Sequence, residues 1–270
     1  MKYVIGMLIF LIACIAAGWK IAQLICRRHK TGIVVRTLLT AAISTVLVAA
    51  SGFAYLEVYY HAGTDAETYL KSSDSVIVSE DRDAFVFDGP GTKQAVIFFS
   101  GAKVEETAYA PLMFRLAEQG VDCFLLKLPF RIALMASGAP GKVMSENSYD
   151  SWYIMGHSLG GTAAAKWCSE NPVSADGLIL LAAYPAAPVP DQLRMLSIYG
   201  TSDGCLNRAE YKAGKSYWPD IWSESVIDGG NHSGFADYGP QRGDGEASIS
   251  PYEQQSETAY EIRRFTEGDR

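Results

Sequence analysis

Between residues 152 and 161 an apolar, strand-like stretch runs into Gly156, His157, Ser158, Leu159, Gly160 and Gly161, and then into Ala163, Ala164 and Ala165. A serine spaced two residues from glycine on either side suits a sharp strand-to-helix turn, in strained backbone where side chains at the flanking positions would clash. Such a turn pushes the hydroxyl into the open. The helix behind it aims its N-terminal N–H groups and positive dipole end at the place where an oxyanion would form. This is equipment for nucleophilic attack on an acyl carbon. Ser158 is the candidate nucleophile, framed by Gly156, His157 and Gly160, with the Leu159 N–H as one oxyanion donor. The pattern recurs at Gly200, Thr201, Ser202, Asp203 and Gly204. Only the first copy precedes an Ala-rich amphipathic pattern (162–169) small enough to pack under the turn, so Ser202 reads as a turn residue.

A serine nucleophile needs a base, normally histidine, and the base needs an acid to hold its tautomer and stabilise the imidazolium. Of four histidines, His29 lies in a basic connection, His61 in a polar stretch, and His157 is next to the nucleophile and cannot fold back on it. His232 remains, in the loop Gly229-Gly230-Asn231-His232 after a short apolar strand. The acid is assigned to Asp203, in the turn after the apolar stretch 196–199, although an Asp beside Gly also suits a solvated turn. Asp228 is only four residues from His232, a cramped geometry, and Asp176 and Asp191 suit plain turns. A second oxyanion N–H is expected from the loop Phe98-Phe99-Ser100-Gly101-Ala102, with Ala102 as the donor. Lys103, Glu105 and Glu106 read as first-turn residues of the next helix.

The elements that must position these residues are legible as alternating patterns. Short strands are expected at 75–79, 84–88, 95–99, 121–128, 152–155, 177–182, 196–199 and 225–227, with helices at 107–118, 159–169 and 251–265. Apolar strands alternating with helices predict an α/β domain with a mostly parallel sheet covered on both faces. Only about a dozen residues join Tyr184 to Leu196, too few for a helical cap over the pocket. The polar, Gly-rich segment 233–250 that follows His232 reads either as a pocket wall or as a plain surface loop.

From about residue 75 to 265 the chain resembles the α/β-hydrolase superfamily, and more narrowly its dienelactone-hydrolase-like branch. The resemblance rests on G-H-S-L-G-G at 156–161, Y-G-T-S-D-G at 199–204 and G-G-N-H at 229–232, in that order. It implies an α/β-hydrolase fold and a serine hydrolase with the triad Ser158, Asp203 and His232. The chain departs from the lipase and esterase pattern in carrying Ser100, rather than His, before Gly101.

The first 60 residues differ in kind. An apolar run from 3 to 26, interrupted by Lys20, and an uncharged run from 37 to 56 are each long enough to span a bilayer, and read as a transmembrane helical hairpin over 1–60. Leu11-Ile12-Ala13-Cys14 is similar to a lipobox, but apolar residues continue beyond Cys14, which argues against processing there. Residues 61–74 read as a linker and 75–270 as the catalytic domain. Arg27, Arg28, Lys30 and Arg36 crowd the connection, whereas 57–70 carries no Lys or Arg, so the connection is expected in the cytoplasm and the domain outside it.

Residues 1–60 carry six basic and one acidic residue, net +5, which leaves −12 for the other 210 residues of a chain with net charge −7. An acidic domain is a poor partner for nucleic acid, so the expected partners are a small-molecule or lipid ester and, through the N-terminal helices, a membrane. Cys123, Cys168 and Cys205 form no C-x-x-C pair and read as buried, inert thiols, with a single disulfide among them as the alternative outside the cell. No zinc-ligand spacing, phosphate loop or dinucleotide motif is present, so neither a cofactor nor a metal is expected. The expectation is a membrane-anchored serine esterase with an acyl-enzyme intermediate. Acyl transfer or thioester hydrolysis on the same triad, and a catalytically silent envelope-binding module, are the competing readings.

Overall fold

Helices α1 (Lys2–His29) and α2 (Ile33–Leu56) make up the first of two compact units, Met1–Val58. The computed structural model describes residues 2–29, 31–91 and 93–268. Buried positions on α1 recur every four residues, at Cys14, Gly18, Ala22 and Cys26, and a Cβ added to Gly18 would collide with Ser44 of α2. Large apolar side chains such as Leu8, Ile12, Leu24, Val34 and Leu38 point outward. Small residues inside and leucines outside invert the water-soluble pattern and suit helices packed in lipid. The stretches Gly6–Arg27 and Ile33–Leu56, 22 and 24 residues at mean hydropathy 2.1, are long and apolar enough to cross a membrane. Arg36, expected in the connection, lies in the first turn of α2.

In the second unit, Tyr59–Arg270, eight strands form one sheet. After the short helix α3 (Thr64–Thr68) come β1 (Ile77–Glu80), β2 (Ala84–Asp88) and β3 (Gln94–Phe99), then α4 (Ala110–Glu118) and β4 (Asp122–Leu126). Helix α5 (Ala139–Glu146), β5 (Ser151–His157), α6 (Leu159–Glu170) and β6 (Gly177–Leu181) follow, then β7 (Arg194–Gly200), α7 (Arg208–Gly214), β8 (Ile221–Ile227) and α8 (Pro251–Thr266). The spatial order is β1-β2-β4-β3-β5-β6-β7-β8, with β2 antiparallel to β1 and β4 and every other pairing parallel. Register sets Ile97 beside both Phe124 and Ile154 at the centre.

Alternation along β3 feeds two cores. Val96 and Phe98 pack with Leu112, Met113 and Leu116 of α4 and Ile262 of α8, while Ile97 and Phe99 pack with Ala164 and Trp167 of α6 and Val143 of α5. Strand β6 is buried along its whole length, as expected of a parallel strand covered on both faces. Helix α8 begins in a capping box, Ser250 accepting the Glu253 N–H while the Glu253 carboxylate accepts the Ser250 N–H.

Three expectations are revised. The helix expected from 107 opens with a tighter turn, Glu106–Tyr109, before α4 proper. Strand β8 begins at Ile221 rather than 225, because an edge strand with a wet face keeps Ser223, Glu224 and Ser225 inside a strand. The stretch 61–74, expected as a linker, is packed within the second unit: it carries α3, Ala66 is fully buried, and the Ala66 N–H donates to the Asp237 carboxylate.

Candidate active site

Ser158 sits at the junction of β5 and α6 with φ 54° and ψ −126°, left-handed backbone that a non-glycine residue adopts only when its surroundings impose it. The surroundings are β6, whose Leu181 carbonyl accepts the Ser158 N–H at 2.9 Å, and the first turn of α6, whose Gly161 N–H donates to the Ser158 carbonyl at 3.0 Å. Gly156 and Gly160 are needed by close approach rather than by φ. A Cβ on Gly156 would strike the backbone of Gly160 and Gly161, and one on Gly160 would strike the carbonyls of Phe99 and Ser100. The hydroxyl is therefore presented where β3, β5 and α6 meet. Ser202, in the second copy of the motif, is a turn residue whose N–H donates to the Gly230 carbonyl at 2.8 Å.

Twenty-nine residues separate Asp203 from His232, and the fold brings them to 2.9 Å, His232 Nδ1 to Asp203 Oδ2, with both side chains buried. Asp203 Oδ1 accepts the N–H groups of Cys205 and Leu206 at 2.8 and 2.7 Å. With both its oxygens accepting, the Asp203 carboxylate favours the His232 tautomer that carries a proton on Nδ1, which leaves the Nε2 lone pair for chemistry. Ser158 and His232 line one small cavity of about 200 Å³, together with Leu159, Thr162, Tyr184, Cys205, Leu206 and Asn207. Asp228 is turned away, on the surface, within 3.2 Å of Thr201 Oγ1.

No residue of 233–250 lines this cavity; the segment instead holds the histidine loop. Asp244 accepts N–H groups from Gly204, His232 and Ser233 at 3.1, 3.1 and 2.8 Å. Partial burial raises its pKa, but these donors outweigh burial and hold the carboxyl below its usual range. Gln254 on α8, fully buried, accepts the Asn231 N–H and donates to the Asn231 carbonyl. The sequence carries no local signal for either role beyond a polar residue between glycines and a glutamine on the buried face of a helix.

Ala102 lies in the loop after β3, between two residues whose N–H groups point elsewhere: Gly101 donates to Tyr109 Oη at 3.0 Å and Lys103 to the Arg131 carbonyl at 3.2 Å. The Ala102 N–H has no acceptor among the described residues, and Ala102 is not among the residues lining the cavity. Tyr109 Oη also lies 2.8 Å from His157 Nδ1. The His157 ring lies against that of His232, centroids 4.5 Å apart and planes tilted by 48°. Burial, reinforced by His232, pushes the His157 pKa well below its ordinary value, so His157 is a neutral part of the scaffold.

Burial lifts the thiols of Cys168 to about 12 and of Cys123 well above its ordinary value, while Cys205, half-buried at the cavity wall, is raised to about 11. All five cysteines are free.

The sheet order and the turn at Ser158 agree with the comparison of sequences: residues 95–256 match the model of the Alpha/beta hydrolase family. The chain belongs to that family. Among solved structures, this hydrolase is similar to a predicted CIB-like hydrolase from Thermoplasma acidophilum, at 15% identity and TM-score 0.53 over 70% of this chain and 99% of the other. It is similar to a dienelactone hydrolase from Anabaena variabilis, at 15% identity and TM-score 0.52 over 73% and 96%. It is also similar to the Francisella virulence factor BioJ, at 14% identity and TM-score 0.56 over 75% and 88%. At these identities the likeness is one of fold. Among curated proteins no relative matches the sequence.

Proposed function

We propose that this α/β hydrolase is a membrane-anchored serine hydrolase of carboxylic esters, with Ser158 as nucleophile, His232 as base and Asp203 as the acid that orients it. The observation that carries the reading is the buried 2.9 Å contact of His232 Nδ1 with Asp203 beside a cavity that His232 shares with Ser158 on its left-handed turn. In the proposed reaction His232 Nε2 takes the Ser158 hydroxyl proton as Oγ attacks the ester carbonyl. The N–H groups of Leu159 and Ala102 stabilise the oxyanion. Collapse expels the alcohol, which leaves with the proton from His232. Water, deprotonated by His232, then attacks the Ser158 ester, the proton returns to Oγ, and the carboxylic acid is released.

The outward leucines of α1 and α2 support membrane anchoring, and the basic residues around the connection favour an extracytoplasmic domain. The absence of a helix between β6 and β7, together with the small cavity, favours short acyl groups.

The test is labelling of the full chain with a fluorophosphonate. Wild type is expected to label, Ser158→Ala to lose labelling and several decades of ester turnover, and Ser202→Ala to keep most of both. The reverse ranking of the two serines would overturn the assignment.

A further inference from the structure

The residues just beyond α2 are bonded to both loops that flank the candidate site. Tyr60 makes a parallel bridge with Val104: its N–H donates to the Lys103 carbonyl at 2.8 Å, and its carbonyl accepts the Glu105 N–H at 2.9 Å. These bonds take hold of the chain immediately after Ala102. The Glu105 carboxylate reaches back, accepting the Ala62 N–H at 3.2 Å and lying 3.3 Å from His61 Nδ1. The Arg131 guanidinium stacks 3.3 Å from the Tyr59 ring centroid, and the Arg131 carbonyl is the acceptor for Lys103.

On the other side the same segment holds the histidine loop. Asp237, five residues past His232, accepts the Gly63 N–H on its backbone carbonyl at 2.7 Å and the Ala66 N–H on its carboxylate at 2.8 Å. The Tyr60 ring packs 5.4 Å from that of Tyr238, and Tyr60 Oη accepts the Arg242 N–H at 3.3 Å.

Fixing is what this loop requires. Lys103 is left-handed at φ 59°, a strained conformation that persists only where surrounding contacts over-determine it. An oxyanion donor must also be aimed closely, since a displacement of about 1 Å costs roughly 10²-fold in rate. We propose that residues 59–66 are a positioning strap for the oxyanion loop, so that the chain emerging from α2 belongs to the catalytic apparatus and is more than a tether. The proposal rests on the reading of Ala102 as an oxyanion donor given above.

The test uses the full chain. Tyr60→Pro removes the N–H that holds Lys103. Its kcat for a short-chain ester is expected to fall 10- to 100-fold with KM within about twofold, and amide exchange over 101–105 to accelerate. Tyr60→Phe, which keeps the backbone bridge and the ring, is expected to regain at least half of the wild-type kcat. Should Tyr60→Pro not fold, Glu105→Ala decides by the same readouts, with a loss of about threefold or more in kcat at an unchanged melting temperature. Unaltered kcat and unaltered exchange in a folded Tyr60→Pro or Glu105→Ala protein overturns the strap. Phosphonate labelling of wild-type Ser158 tests the serine-hydrolase reading by itself, and the exchange of the 101–105 amides tests the strap whichever way that labelling falls.

Discussion

Replacing Asp203 by Asn changes one oxygen to an NH2 group at almost constant volume, and the surrounding donors dictate which way the amide turns. Oδ1 accepts two backbone N–H groups, from Cys205 and Leu206, at 2.8 and 2.7 Å. Placing NH2 there would set donors against donors in a buried site, at about 1–3 kcal/mol for each unsatisfied group. The amide oxygen therefore keeps that position, and the NH2 group faces His232 Nδ1, now 2.9 Å from a carboxylate oxygen. Nδ1 must then accept. The ring proton moves to Nε2, where it blocks the nitrogen that should take the Ser158 proton, and the imidazolium formed later loses its counter-charge. A wrong-tautomer histidine costs about 10⁴-fold, or about 5 kcal/mol of transition-state stabilisation. For Asp203→Asn we expect kcat/KM on a short-chain ester to fall by about that factor, with the protein still folded. For Asp228→Asn, at the surface beside Thr201, we expect a change within about twofold. An Asp203→Asn enzyme retaining a tenth of wild-type activity, or an Asp228→Asn enzyme that is the more impaired, would refute the reasoning.

His157 is held below its ordinary value of 6.5, first by burial and then by His232, so below pH 6.5 the unfolded chain binds a proton that the native chain refuses. Stability should fall with pH there, by up to about 1.4 kcal/mol per pH unit, and His157→Gln should remove that slope in melting experiments from pH 7 to 5; an unchanged slope would contradict the assignment. On a panel of p-nitrophenyl esters, kcat/KM should peak at acetyl to butyryl, because each CH2 left outside the roughly 200 Å³ cavity forgoes about 0.8 kcal/mol. A peak at long acyl chains would count against the small cavity as the acyl site.

What the sequence reveals about this molecule is mostly local. The turn at Ser158 can be read because Gly156, Gly160 and the alanines of α6 answer steric demands only a few residues apart. His232 and Asp203 emerge from counting histidines and from a loop that follows a strand, and the fold then brings them together. Tyr109, Asp244 and Gln254 escape such a reading because their partners lie 48, 12 and 23 residues away and nothing in their neighbourhood marks them. Residues 61–74 mislead for a related reason. Their side chains are polar, as a linker's are, but their backbone donors are spent on Asp237 and Glu105, which a one-dimensional reading does not place beside them.

The uneven shielding of the thiols gives the domain a natural reporter position. Cys123 and Cys168 are sealed in the two cores, whereas Cys205 stands on the cavity wall, two residues from Asp203, with its sulfur accepting a hydrogen bond from Gln241. A thiol raised to about 11 is almost wholly protonated at neutral pH, so it spares the site from casual alkylation. As the pH approaches 11 the thiolate forms, and the same group becomes the domain's most accessible handle for a fluorescent or spin label. Such a label would sit on the wall of the cavity shared by Ser158 and His232 without any engineered cysteine.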